Sequence, residues 1–265
     1  MIAGVRRVRI DLAYDGTDFS GWQYQPGRRS VQGVLEQALA VVQGGGSVRV
    51  RGAGRTDAGV HARRQTADGL FCGLTGDDEL LSALRELMPR DVRPLAVRTV
   101  PATFHSQWAA ITRSYRYQLD RTRHGDPFRR RYALHRHGAL DAGRIEAALA
   151  LLPGRRDWSG FAGAAGVVRN PVRTVLEARY GEPDPETGWF TFTADGYLNY
   201  MVRNIVGTVI EIAAGRFEPR RIGEILESCD RRLAGATAAA HGLFLWKIEY
   251  PEVGEVVADR RPGRR

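Results

Sequence analysis

Arg51-Gly52-Ala53-Gly54-Arg55-Thr56-Asp57-Ala58-Gly59-Val60-His61-Ala62 sets one carboxylate, Asp57, among small residues and beside an arginine. Three glycines give this run a backbone that can turn sharply and take positive φ, so a ligand or nucleic-acid strand can approach closely. Such a loop can hold its carboxylate in the open. Two other readings stand beside that one. Asp is favoured in turns, and Thr56-Asp57-Ala58-Gly59 reads as a type I turn with glycine at its last position. Gly52-x-Gly54, after the strand-like Val48-Arg49-Val50-Arg51, hints at nucleotide binding. The dinucleotide pattern, however, wants a third glycine where this chain has Asp57, and an anion cradle is a poor place for a carboxylate. A Walker-type loop is excluded, since the only lysine is Lys247.

On the N-terminal side of this run, Val8, Ile10, Leu12 and Tyr14 recur at period two, which predicts a half-buried strand ending at Asp15-Gly16. Ser30 caps a predicted helix over Val31 to Val42, and Gly44-Gly45-Gly46 ends it. On the other side a strand is expected at about Gln65 to Cys72, a helix at about Asp77 to Met88 stopped by Pro89, and a strand at about Val92 to Val100. The second half opens with a strand over Thr112 to Leu119 that puts Tyr115, Tyr117 and Leu119 on one face. Helices follow at about Ala142 to Leu152 and Tyr197 to Ala214, the latter after a strand pair at Val175 to Tyr180 and Trp189 to Ala194. A helix near Arg220 to Ser228 and a strand near Leu243 to Tyr250 close the chain. The expected fold is α+β, with two similar α/β halves over a shared, mainly antiparallel mixed sheet. The halves are residues 1–108 and 109–252, and 253–265 reads as a basic, disordered tail.

With 265 residues, 43% of them hydrophobic, the chain can bury a sizeable core. Its 39 Lys+Arg against 30 Asp+Glu give a net charge of +9, which favours a polyanionic partner or an anionic surface. Between Arg113 and His137 eight arginines face two acids, a local net of +6, so two thirds of the excess sits in one segment. Tyr115, Tyr117, Phe128 and Tyr132 lie among those arginines. Guanidinium forks grip phosphates and planar rings stack on bases, so the mixture suits nucleic acid, with a solvated basic face as the alternative. Cys72 and Cys229 are far apart in sequence and belong to no close-spaced metal motif. His135-x-His137 has no Cys, Asp or Glu at ligand spacing and reads as part of the basic surface. No stretch reaches membrane-spanning length and no signal peptide is evident, so the cytoplasm is the default expectation.

The run Gly54 to Ala62 closely resembles the signature of the tRNA pseudouridine synthase A (TruA) family. Matches in order extend across nearly the whole chain: Tyr14-Asp15-Gly16 with Phe19-x-Gly21-Trp22-Gln23, Ser30-Val31-Gln32, Phe104-His105 and Ser114-Tyr115-Arg116-Tyr117. Asn170-Pro171-Val172-Arg173-Thr174, Met201 to Gly207 and Gly242-Leu243-Phe244-Leu245 continue the series. The departure is Arg63-Arg64 after His61-Ala62, more basic than the family's small residues.

The resemblance implies isomerisation of uridines at positions 38, 39 and 40 of the tRNA anticodon stem-loop, by base flipping, N-glycosidic cleavage and C5 reattachment. It also implies an active-site cleft between the halves, a homodimer, and neither cofactor nor metal, because the reaction involves no redox change or net hydrolysis. By the same resemblance Asp57 is the catalytic nucleophile, with attack on C6, attack on C1′ and removal of the C2′ proton all open. Tyr115 would stack on the extruded base, and Arg55 would fill its place or hold its phosphate. Arg203, in the middle of an otherwise apolar helix, needs a carboxylate partner if buried, and the family pattern points to Asp57. Leu243 and Leu245 would line the uracil pocket, or simply pack the core. Three other classes remain at this stage: a pseudouridine synthase for another RNA site, a catalytically silent RNA-binding protein, and a metal-dependent phosphate-ester or nucleotide enzyme.

Overall fold

Period-two alternation decides which side of the first strand is buried. In a computed structural model that describes residues 4–163 and 170–251, Val8, Ile10 and Leu12 are at most 1% exposed. Arg7 and Arg9 point to the other face, where Arg7 pairs with Asp68 and Arg9 with Asp11. This strand, β1 (Val5–Tyr14), lies antiparallel to both β3 (His61–Cys72) and β4 (Val92–Val100). The short β2 (Val50–Gly52) also pairs with β3. Helix α1 (Val31–Val42) begins where the Ser30 side chain accepts the Gly33 N–H at 3.2 Å. Helix α2 (Asp77–Leu87) is tied to β4 through Asp77, which accepts the Thr99 N–H at 2.7 Å. Leu35, Leu39, Leu80 and Leu84 have no exposed surface and complete this core with the apolar side of β1.

The chain divides into two units, residues 1–111 with 245–265, and residues 112–244. In the first, the strand order is β4-β1-β3-β10, where β10 is Leu243–Glu249. In the second, β5 (Thr112–Asp120) is antiparallel to β9 (Thr187–Ala194), which is antiparallel to β8 (Val172–Asp184), followed by β7 (Gly154–Asp157). A two-residue β6 (Leu134–His135) joins β5 in parallel. Helices α3 (Ala142–Leu149), α4 (Met201–Ala213) and α5 (Arg221–Ser228) belong to this second unit. The fold is α+β. Among the described residues no helix is long and apolar enough to cross a membrane.

Several boundaries differ from the sequence expectation, each for a local reason. Strand β3 starts at His61 rather than Gln65, because Ala62 pairs with Tyr14 past an irregularity in β1. Helix α4 starts at Met201 rather than Tyr197, because Tyr200 takes left-handed backbone, φ 61° and ψ −2°, and ends the helix there. Arg203 is therefore in the first turn of α4, not its middle. Leu245 to Glu249, the greater part of β10, group with the first unit. The basic tail at 253–265 lies outside the described residues.

Candidate active site

Asp57 sits on a turn clamped from both ends. The loop leaves β2 still paired, with Ala53 N–H donating to Thr66 O at 2.8 Å, and the Gln65 amide donates to Gly54 O at 2.8 Å. Gln65 is fully buried, so this anchor is shielded from water. Thr56 follows. Its hydroxyl is 2.8 Å from that of Tyr14, and its carbonyl accepts the Trp22 N–H at 3.1 Å. Burial pushes the Tyr14 hydroxyl up to about 12, against which its contacts with Thr56 and Gln65 work only in part. Tyr14 is thus a neutral phenol that can hold Thr56.

The turn itself is one residue later than the sequence suggested. Val60 N–H donates to Asp57 O at 3.1 Å, and Gly59, third of the four residues, has φ 77°. A positive φ at that position is the mark of type II rather than type I geometry, and it calls for glycine. The Gly59 N–H also donates to Phe19 O at 3.3 Å. Gly52, by contrast, serves close packing: a Cβ there would lie 2.5 Å from the Trp22 ring.

The segment between β1 and α1 cradles this turn through two further glycines. A Cβ on Gly21 would lie 2.6 Å from Thr56 O, and one on Gly16 would lie 2.0 Å from Val60 O. Gly16 N–H also donates to Nδ1 of the buried His61 at 3.0 Å. With both flanks fixed, the Asp57 side chain is half-buried, while Arg55 and Ala58 are exposed. A carboxylate held on a fixed backbone with part of its surface open can act as a nucleophile or base toward a group brought to it. Arg63 and Arg64 follow on β3, both exposed, with the Arg63 guanidinium 5.7 Å from the Trp246 ring.

The second unit holds Tyr115 and Arg203. Tyr115, 7% exposed on β5, meets Tyr197 edge-on, with ring centroids 5.0 Å apart and planes at 84°. Tyr197 donates to Arg113 O at 3.3 Å, and burial, then Tyr115, pushes its hydroxyl well above the ordinary tyrosine range. Arg203 is half-buried. Its Nε donates to Ala238 O at 2.7 Å, Ala238 N–H returns a bond to Arg203 O at 3.1 Å, and its guanidinium lies 5.1 Å from the Tyr200 ring centroid.

One face of α4 carries a whole ladder to this segment. Thr237 donates to the Asn204 side-chain oxygen at 2.6 Å, and Gly235 N–H donates to the Thr208 hydroxyl at 2.9 Å. A Cβ on Gly207 would lie 1.8 Å from Ala236 O. The motif Met201 to Gly207 thus holds residues 235–238 in register, and the chain then runs into Leu243 and Leu245, which are 5% and 0% exposed. Of the basic segment, Arg121 pairs with Glu182 and Arg129 with Asp126, while Arg123 and Arg130 are exposed. His135 lies 2.9 Å from Thr122 O.

Tyr197, Tyr200 and residues 235–238 were not singled out in the sequence. Spacing alone could have raised Gly207, a glycine inside an apolar helix that marks a close backbone approach.

Residues 12–110 and 148–251 match the family model described as tRNA pseudouridine synthase. The chain belongs to that family. It is 38% identical over 247 residues to tRNA pseudouridine synthase A of Latilactobacillus sakei subsp. sakei strain 23K, covering 92% of this chain and 99% of the relative. It is 41% identical over 244 residues to the protein so named in Lacticaseibacillus casei strain BL23, covering 91% and 98%. With that of Brevibacillus brevis strain 47 it shares 40% over 246 residues, covering 93% and 100%. A synthase of this family is an isomerase that converts uridine of tRNA to pseudouridine. The matched residues include the Asp57 turn and Arg203, whereas Tyr115 and the arginine-rich segment fall in the gap between the two matched stretches.

Proposed function

We propose that this synthase isomerises uridines 38, 39 and 40 in the anticodon stem-loop of tRNAs, with Asp57 as the nucleophile. The observation that carries this reading is the half-exposed carboxylate on a turn whose backbone is anchored on both sides. Rigid flanks keep the attacking oxygen in one place while the extruded nucleotide is brought to it, which lowers the entropic part of the barrier. Arg203 is the cation that partners the carboxylate, Tyr115 supplies a face for the uracil, and Arg55 holds the backbone of the extruded nucleotide. Leu243 and Leu245 form the apolar wall of the base pocket. The enzyme works as a homodimer in the cytoplasm, and the exposed arginines of the 113–137 segment take part in holding the tRNA.

The C5 proton is lost in the reaction, so tritium release from tRNA carrying C5-labelled uridine reports turnover directly. Asp57→Ala and Asp57→Asn are expected to release none above background while keeping the parent's affinity for tRNA within a few-fold. Equal release by parent and variants would overturn the assignment. Mapping pseudouridines in tRNA from cells lacking the gene tests the positions: loss confined to sites outside the anticodon arm refutes them. Sedimentation at micromolar concentration tests the dimer.

A further inference from the structure

We propose that Tyr200 is a positioning residue of this synthase: its ring, fixed at the start of α4, sets the direction of the Arg203 guanidinium. The inference rests on the reading of Arg203 given above. Three local rules are broken at this helix start. The residue before the first turn normally has extended backbone and a Ser, Thr, Asp or Asn side chain that caps the helix. Here it is a bulky aromatic in left-handed backbone, φ 61°, and its side chain makes no capping bond. Such a conformation is strained for any residue with a Cβ and persists only where the surroundings hold it. Finally, Arg203 places a cation in the first turn of a helix, where the macrodipole disfavours positive charge.

The same contacts explain what the arrangement achieves. Gly163 makes room for the ring, since a Cβ there would lie 2.5 Å from Tyr200 Cδ2, and Gly163 N–H donates to Asn199 O at 2.9 Å. Asn204, fully buried, donates to Phe161 O at 2.8 Å and so ties the same stretch to α4. The guanidinium has its Nε on Ala238 O and its carbon 5.1 Å from the ring centroid. A planar cation gripped along one edge and faced by an aromatic ring can project its remaining N–H groups in few directions. Left-handed backbone at residue 200 aims the ring there, whereas an ordinary extended cap would send the side chain elsewhere.

The test uses tritium release from C5-labelled tRNA, thermal melting, and four variants. Tyr200→Phe keeps the ring and is expected to stay within about twofold of the parent. Tyr200→Leu loses about tenfold in kcat with KM for tRNA within twofold. Tyr200→Gly relieves the backbone strain, so it melts at or above the parent's temperature yet shows the same loss in kcat. In an Arg203→Lys background, Tyr200→Leu costs less than threefold, because a flexible ammonium does not depend on a planar platform. Parental kcat in Tyr200→Leu or Tyr200→Gly overturns the proposal, as does an undiminished loss in the Arg203→Lys background. Parental activity in Arg203→Lys and Arg203→Ala would instead remove the role given to Arg203 itself.

Discussion

Gly21 and Thr56 meet backbone to backbone: a Cβ added to Gly21 would lie 2.6 Å from the Thr56 carbonyl oxygen. Gly21 also has φ 93°, so its lack of a side chain is required twice. Gly21→Ala is expected to destabilise the protein by about 2 kcal/mol or more, through overpacking and an unfavourable φ. Because the displaced atoms lead into Asp57, tritium release should fall by more than the loss of folded protein accounts for. Chemical denaturation and activity at a temperature where the variant is fully folded check both parts.

Tyr14 makes stability depend on alkaline pH. Its folded pKa is raised to about 12, while an unfolded tyrosine ionises near 10. Stabilisation is therefore complete below about pH 10 and is lost as pH rises toward 12, where the unfolded chain releases a proton that the folded one keeps. The full effect approaches about 3 kcal/mol at one pKa unit per 1.4 kcal/mol. Urea melts between pH 8 and 11.5 should show this decline, and Tyr14→Phe should lessen it, leaving the part that the buried Tyr117 and Tyr197 contribute. An equally steep decline in Tyr14→Phe would assign the effect to other groups.

Asp68 is expected to govern the acid side. Its carboxylate has no exposed surface, yet it accepts bonds from Arg7 and Arg51, both at 2.6 Å, and from Ser106 N–H at 2.8 Å. Burial disfavours its charge, but the Ser106 N–H and the Arg51 guanidinium outweigh it and hold the carboxyl below the usual range. Its contribution is present above the ordinary carboxylate pKa near 4 and lost as pH falls below it. Asp68→Ala should cost about 3 kcal/mol, since it strips two arginines and a buried N–H of their acceptor. The gap in denaturation midpoint between parent and variant should be full at pH 7 and smaller at pH 3.

Gly207→Ala has an unusual sign. Alanine normally favours a helix interior over glycine by about 1 kcal/mol. At this position the added methyl would lie 1.8 Å from Ala236 O, inside the contact that holds residues 235–238 on α4. Destabilisation of about 2 kcal/mol or more is expected, with lower kcat, because Ala238 also holds Arg203. A rise in melting temperature would show that the segment yields without cost.

Long periodic elements were legible in the sequence because burial follows the pattern: β1, α1, α2 and β5 lie where alternation or a helical stripe put them. Strands of two to four residues, such as β6 and β7, carry too few positions to show a period. That Asp57 sits on a turn was legible from the glycines around it, but the turn type was not, since only the partner of Val60 N–H shows which four residues close. Tyr200 escaped notice for a related reason. Apolar pattern predicted a helix through it, and nothing in the residue types announces that Tyr200 takes left-handed backbone.

The return of the last strand to the first unit sets an order of events during synthesis. Residues 112–244 form an uninterrupted stretch that can fold as soon as it leaves the ribosome, whereas β3 lacks its β10 neighbour until Leu245–Glu249 emerge. Until then the part of that β3 edge not covered by β2 is open to pairing with another chain, a hazard for a nascent protein. A truncation before Leu245 should therefore accumulate as aggregate, even though it retains Asp57, Tyr115 and Arg203.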